Sequence, residues 1–440
     1  YDDNLKVQPM LAETWEQSAD ARQLTLNLRK GVSFHSGREL TGDDVVYNMN
    51  RALDRKITAG ILTGFVPPDT TFEAADKYTV MVKSKQPWPA IFDWLQVLNI
   101  VDKVTQDGPD SKSKAVGTGP FQLAEWVPGD RLRYTRNKSY WQTGRPYLDE
   151  IMISIARDDA SMTAQLEAGS LDLVAGPSIT EFNRLKSNTS YQAVLMPNAG
   201  TFHQFQPNVT IAPLDNKIVR QGLSYAIDRK RIAETILAGI TAPRSLPWPT
   251  SSPAYDATKD ATFLFDLDKA RALLAQAGVS NLELDFVYAN TLPEYALMGQ
   301  VYQSDLAKIG VKLTLKQLEL TALFDSIHNQ TYKGLYTLGD SWANMDPISL
   351  FTSGASANVG GNNAGFKEPR YAELVNTAAT EPDAAKRKAL YAQINDYVLD
   401  QAFEMPVAGN IDRILATAKV KNIGHRRNSV WSLTDTWLDA

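Results

Sequence analysis

Residues 212–229 read APLDNKIVRQGLSYAIDR, Ala212 to Arg229. Pro213 and the pair Asp215-Asn216 supply turn and capping chemistry, and Val219, Leu223 and Ile227 recur at helical spacing. The stretch predicts a loop, a helix start and then an amphipathic helix. None of its side chains makes a catalytic constellation.

Outward from it, the chain has the balance of a globular protein. Its 440 residues are 43% hydrophobic and 22% charged, with a formal net charge of −5. At roughly 150 residues per domain the length predicts two or three domains. Acids and bases are mixed with no basic block, which argues against a nucleic-acid partner. No apolar run approaches the ~18 residues of a membrane span. The chain has no cysteine, which excludes thiol nucleophiles, thiolate metal sites and disulfides. It opens at Tyr1, without an initiating Met or a signal peptide, as expected of a processed or trimmed chain.

Upstream, LTLNLRKGVSFHSG (24–37) begins with strand alternation. Thr41 or Asp43 then caps a helix with Val45, Val46, Met49 and Leu53 on its apolar face. A polar stretch at 108–118 marks a plausible boundary, and FQLAEW, RLRYTR and IMISI follow as short strands. A helix is expected at about 160–168, then the strand LDLVAG and an extended 195–210. Downstream, DKARALLAQAG reads as a helix with Gly278 at its end. LELDFVYA and VKLTLKQLEL read as strands flanking a helix near 290–308, a βαβ unit. Residues 339–366 are rich in Gly, Asn, Ser and Asp, a long loop of the kind that is functional or disordered. AAKRKALYAQINDYVLDQ (384–401) is a long helix, and the last thirty residues return to strands.

Four segments together resemble one family, the family 5 extracytoplasmic solute-binding proteins of ABC importers, whose members carry peptides, nickel chelates and related ligands. They are Pro9–Arg51, with its PMLAETW and LRKGVSFHSG; GTGPFQLAEWVPGDRLRYTRNKSYW (117–141); Pro213–Arg229; and DLDKARALLAQAG (266–278). Their order along the chain is the family's. The resemblance implies an α/β, two-lobed periplasmic-binding-protein-like fold of the large type, hinged by two crossing strands, with the ligand in the interlobe cleft. It implies an extra subdomain at 1–114, a discontinuous lobe I from 115–207 plus 410–440, and a lobe II at 208–409. Family members carry several tens of residues ahead of the segment matching Tyr1, including the first strand of the large lobe, so that strand is expected to be missing here.

A closed cleft buries its ligand, so polar groups need placed partners and apolar faces need aromatic walls. TFHQFQPN (201–208) resembles the family's hinge strand. Alternation puts Phe202, Gln204 and Gln206 on one face and His203 and Phe205 on the other, leaving open which face meets ligand and which packs in the core. GDSWANMDP (339–347) resembles the place where peptide-binding relatives keep an Asp for the ligand's free amine, which makes Asp340 and Asp346 candidates. Trp342 is a candidate stacking wall, against a plain turn role for Asp346-Pro347. Asn344, Asn362 and Asn363 can offer amides, or simply shape turns. Trp248, in the proline-rich segment 242–255, is either a cleft wall or a surface-packing residue. Peptide-binding relatives tend to carry arginines near 324–340 for a carboxylate, yet no arginine lies between Lys316 and Glu368. Arg136 and Arg133 could serve an anionic ligand instead, against a structural role for Arg136.

The four histidines are dispersed, with no H-x-x-x-H or H-E-x-x-H pair, so no resident metal or other cofactor is expected. G-x-S-x-G, P-loop and dinucleotide fingerprints are missing as well, which weighs against an enzyme. The expectation is a monomeric periplasmic binding protein that delivers a small polar organic ligand, peptide or peptide-like, to an ABC permease. The alternatives are an opine-like conjugate, a metal chelate or an oligosaccharide as cargo, or a ligand sensor that docks on a receptor.

Overall fold

The computed structural model describes the chain apart from residues 3–5, 59–61, 110, 112, 157, 291, 341–345, 427–429 and 440, and apart from the side chains of 197–199, 425, 426 and 430. The chain builds two compact units. One comprises Tyr1–Pro177, Leu185–Val194 and Ile414–Ala440, and the other comprises Ser178–Arg184 and Leu195–Arg413.

The first unit opens with antiparallel strands β1 (Ala12–Gln17), β2 (Gln23–Leu28), β3 (Thr71–Asp76) and β4 (Thr79–Lys83), in the order β1-β2-β4-β3. Leu24, Leu26 and Leu28 are buried at every second position, as period-two patterning requires. The helix Gly42–Ala52 buries Val45 and Met49, while Asp44 returns a carboxylate to the Thr41 N–H at 3.0 Å and to its hydroxyl at 2.9 Å. A second sheet joins β5 (Phe121–Val127), β6 (Arg131–Arg136) and β7 (Glu150–Ser154) in sequence order.

A six-stranded sheet contains β8 (Leu173–Ala175), β9 (Tyr191–Pro207), β10 (Glu283–Ala289), β11 (Lys312–Leu318), β12 (Gly334–Asp340) and β13 (Met405–Thr417). Its order is β11-β10-β12-β9-β13-β8. β10 runs parallel to both β11 and β12, and the helix Pro293–Ala307 joins β10 to β11 as the expected βαβ unit. Met298, Tyr302 and Leu306, four residues apart, form its buried face. β12 and β9 pair antiparallel, from Leu335 opposite Pro207 to Asp340 opposite Phe202.

These pairings move the expected boundaries. The long strand changes unit at 194/195, not 207/208, because its second half is hydrogen-bonded to β12. β13 changes at 413/414 rather than 409/410. Residues 1–114 fall in one unit with 115–177. Ser178–Arg184 joins the second unit because Ile179 is buried in that unit's core and donates its N–H to Glu294 at 2.9 Å.

The helix of the 212–229 stretch spans Lys217–Tyr225, with the Asn216 side chain accepting from the Ile218 N–H at 2.9 Å. It stops short of Arg229. Asp228 takes the Arg231 N–H at 3.0 Å and starts a new turn, Arg229–Arg231, that continues into a π-turn over Ile232–Ile236. Gly222 is the contact point with the helix Leu267–Gln276: a Cβ there would lie 3.2 Å from the Ala270 carbonyl oxygen. Val219, Leu223 and Ile227 are all buried in the core. The two arginines of the stretch are structural. Arg220 donates to the carbonyls of Gln401, Leu214 and Asp215 at 2.8–2.9 Å. Arg229 donates to the carbonyls of Ser224, Arg244, Phe263 and Pro406 and to the Ser224 hydroxyl, at 2.8–3.1 Å. Burial pulls both guanidinium pKa values down to about 10.

Candidate ligand-binding site

The register of β9 against β12 sorts the sequence-derived candidates. Phe205 enters the core, edge-on to Phe286 with centroids 4.8 Å apart. His203 shares that face and lies edge-on to Tyr295 at 6.0 Å. The opposite face carries Phe202, Gln204 and Gln206 against Asp340, Leu338 and Tyr336. Two sets were expected, and they are separated by chemistry: one hydrocarbon and ring-lined, one rich in amides and acids.

The polar face forms a continuous network. The Gln204 amide donates to Asp340 Oδ2 at 3.3 Å, and the Ser356 N–H donates to the same oxygen at 3.1 Å. The Ser356 hydroxyl donates to Glu404 Oε1 at 2.6 Å. The Gln206 amide donates to the Ser356 carbonyl at 2.7 Å, and the Tyr336 hydroxyl donates to Gln206 Oε1. The Asn363 amide closes the network on the Tyr336 hydroxyl at 3.0 Å. Gln204, Gln206, Tyr336, Ser356 and Glu404 are buried, and Asp340 is half-buried at the end of β12. Two acceptor oxygens, Gln204 Oε1 and Glu404 Oε2, are buried without a hydrogen-bond partner among the described residues. Burial, with the Asp340 charge adding to it, pushes the Glu404 carboxyl up to about 8.

Five other candidates are engaged in structural contacts. Trp248 is fully buried, donates its indole N–H to Asn395 Oδ1 at 2.7 Å and meets Phe351 edge-on at 5.5 Å, so it is a core residue rather than a wall. Asp346 accepts the Ile348 N–H at 3.1 Å, accepts from the Tyr391 hydroxyl and lies 3.5 Å from the Arg387 guanidinium. It anchors the loop on the helix Ala384–Gln401. Arg136 lies in the first unit, donates to the carbonyls of Tyr147 and Leu148 and pairs with Asp149 at 3.4 Å, which is a structural staple. Arg133 is tied to Glu125 and Glu150. Asn362 holds its own loop through the Phe366 N–H and carbonyl, both at 2.9 Å. Trp342 and Asn344 lie outside the described residues.

Glu404, Ser356 and Tyr336 belong to the network and escaped the sequence reading. For Glu404 the signal was available: a lone acid in the apolar run AFEMPVA (402–408) has either to ionise at a cost or to find partners. Among the described residues, no group of three His, Cys, Asp or Glu is placed to hold a metal ion, and no helix is long and apolar enough to cross a membrane. The arrangement offers acceptors and one half-buried carboxylate, which suits a donor-rich or cationic group.

The model for bacterial extracellular solute-binding proteins, family 5 Middle, matches residues 6–362. The chain belongs to this family. Heme-binding protein A of Haemophilus influenzae is 31% identical over 452 residues, covering 94% of this chain and 81% of the relative. The dipeptide-binding protein of Escherichia coli is 30% identical over 442 residues, covering 92% and 81%. Among solved structures, AgaA of A. tumefaciens R10 in complex with agropinic acid superposes with a TM-score of 0.86 at 24% identity, over 99% of this chain and 90% of AgaA. At that identity the likeness speaks for the fold, the two-lobed α/β architecture that the sequence resemblance implied. This family 5 chain is therefore a solute-binding protein of the ABC-transport type.

Proposed function

We propose that this family 5 protein captures a short peptide or peptide-like molecule outside the cytoplasm. It hands the cargo unchanged to the permease of an ABC importer, and it works as a periplasmic monomer. No bond is made or broken in this reading. The observation that carries it is the polar face of β9 and β12, where Asp340 is half-buried beside Gln204 and Ser356. A half-buried carboxylate among neutral amide donors attracts a cationic ligand group, and a peptide's free ammonium is one such group. The similarity to the dipeptide-binding protein of E. coli favours a peptide over the other cargoes of the family. Trp342 and Asn344, next along the chain, are proposed to supply an aromatic wall and an amide. No arginine lies between Lys316 and Glu368, so an arginine partner for the peptide's carboxylate would have to come from elsewhere in the chain.

Native mass spectrometry of the freshly purified protein, followed by release and identification of its cargo, tests this reading. One peptide per chain is expected. Asp340→Asn should then weaken binding of that peptide at least ~tenfold, the usual scale for removing one partner of a desolvated charge pair. Release of an opine-like conjugate, a metal chelate or an oligosaccharide would overturn the peptide reading and leave the fold untouched.

A further inference from the structure

The carboxyl edge of the six-stranded sheet carries a second group of polar side chains, apart from the Asp340 network. β10 and β12 run parallel and both end there, at Ala289 and Asp340. The chain leaves β10 on one face, through the helix Pro293–Ala307, whose Met298 and Tyr302 share a core with Phe286. It returns to β12 on the other face, through the helix Leu320–His328, whose Leu323 and Ile327 share a core with Val287. Connections that part to opposite faces open a crevice outside the carboxyl ends of the strands, the usual place for a ligand in an α/β sheet.

Gly339 lies at this edge, paired with His203 of β9. Neither backbone nor packing requires a glycine here. Its φ lies outside the left-handed region, and a Cβ would make only ordinary contacts, 3.5 Å from the Tyr295 hydroxyl oxygen and 3.8 Å from Asn410 Nδ2. Apart from its chain neighbours, no other atom of the described residues comes within 4 Å of that position. The missing side chain therefore leaves a notch with two polar walls. Gly339 and Asn410 are half-buried, so the notch is not sealed in the core, while Tyr295 is buried.

Each wall holds an unspent donor. The Tyr295 hydroxyl accepts the Gly339 N–H at 3.1 Å, and among the described residues no acceptor takes its own proton. Burial raises its pKa, so the proton stays in place. The Asn410 carbonyl accepts from the Thr201 hydroxyl at 3.3 Å, but its side-chain amide has no hydrogen-bond partner among the described residues. Charge nearby is balanced. Glu294 and Arg413, the ionised groups that bear on Tyr295, pair with each other at 3.4 Å, and His203 is neutral. Tyr295 stands in the first turn of its helix, whose dipole also favours an electron-rich atom.

Resting on the reading of the cargo as a peptide, we propose that Tyr295 and Asn410 are a specificity-determining donor pair, which receives one main-chain carbonyl oxygen of the ligand over Gly339. A carbonyl oxygen has two lone pairs and takes both donors at once. The donors are neutral and the carboxylate of Asp340 is on the next residue, so a neutral oxygen suits the notch better than the ligand's own carboxylate. Gly339 lets that oxygen approach, because any side chain would occupy the same space.

The test uses Gly339→Ala, which fills the notch, and Asn410→Ala, which removes one donor. The probes are the dipeptide Met-Leu and its C-terminal amide, which keeps the ammonium and the carbonyls but lacks the carboxylate. Kd is measured by calorimetry at pH 7, beside the melting temperature of each ligand-free protein. Gly339→Ala should melt within about 2 °C of wild type. It should bind Met-Leu at least ~tenfold more weakly, the scale of overpacking. Asn410→Ala should weaken binding about threefold to tenfold, the worth of one neutral hydrogen bond. Each penalty should be the same for the amide. The double variant should bind no more weakly than Gly339→Ala alone, because a filled notch leaves Asn410 nothing to hold. Wild-type affinity in either single variant overturns the inference, and Asn410→Ala decides alone should Gly339→Ala melt early. Penalties that vanish with the amide assign the acceptor to the carboxylate and overturn it too. In all these cases wild type still binds Met-Leu and the peptide reading stands. If wild type does not bind Met-Leu at millimolar concentration, that reading falls and this inference with it.

Discussion

His203 and Glu404 are both fully interior and both neutral, and burial drives them in opposite directions along the pH scale. Burial and the nearby Arg413 hold the His203 imidazole down to about 4, against an ordinary 6.5. Its contribution to stability is fully present above 6.5 and is lost as pH falls through 4. Glu404 is pushed up to about 8, against an ordinary 4.5. Its contribution is fully present below 4.5 and is lost as pH rises through 8. Each slope is about 1.4 kcal/mol per pH unit. Between pH 4.5 and 6.5 the unfolded chain binds one more proton at His203 and one fewer at Glu404, so the two terms cancel. From 6.5 to 8 only the Glu404 term remains, and it lowers stability. Glu404→Gln should therefore unmask the histidine: as measured by urea unfolding, the variant gains on wild type with rising pH from 4.5 to 8. The variant's own stability should rise up to about 6.5 and then level off. Parallel curves for the two proteins would show that Glu404 ionises normally in the folded chain.

At the scale of elements, β12 governs the candidate site, because it presents Tyr336 and Asp340 on one face and inserts between β10 and β9. Its entry depends on Gly334, whose φ is +157° and whose imagined Cβ would lie 2.1 Å from the Asp285 carbonyl oxygen on β10. The three nearest atoms are all Asp285 backbone, so no flexible side chain can give way. Gly334→Ala should cost about 1–3 kcal/mol in thermal or urea unfolding, the overpacking scale, and should weaken Met-Leu binding through the displaced end of β12. An unchanged melting curve would mean that β12 enters the sheet by another path. Much of this element was legible in the sequence. The alternation in TFHQFQPN separates Phe205 from Gln204 and Gln206 because a strand has a period of two. The βαβ pattern over 283–318 is plain for the same reason, and 384–401 is the long helix expected. Long-range partners are what sequence hides. Trp248 in a proline-rich loop looks like a surface wall until Asn395, 147 residues on, takes its indole N–H. Asp346 looks like a ligand carboxylate until Tyr391 and Arg387 take it. Glu404 is separated from Ser356 by 48 residues, so no local pattern links them.

At the scale of the molecule, the polar network belongs to one unit alone, the one comprising Ser178–Arg184 and Leu195–Arg413. Its members come from four stretches far apart in sequence: β9, β12, the loop at 356–363 and Glu404. A ligand that engages this network therefore ties four stretches together at once, and local openings of any of them must break its contacts. A ligand bound to the folded state alone adds RT ln(1 + [L]/Kd) to the free energy of each such opening, about 2.7 kcal/mol at one hundred times Kd. Amide hydrogen exchange reads this segment by segment. With Met-Leu at that concentration, exchange at 202–206, 334–340, 356–363 and 403–405 should slow about a hundredfold wherever it proceeds through openings that expose the network. The sheet of β1–β4 in the other unit has its own core and should exchange unchanged. Slowing spread evenly over both units would mean that the ligand stabilises the whole chain through a contact elsewhere. Slowing confined to β1–β4 would move the binding site out of this network altogether.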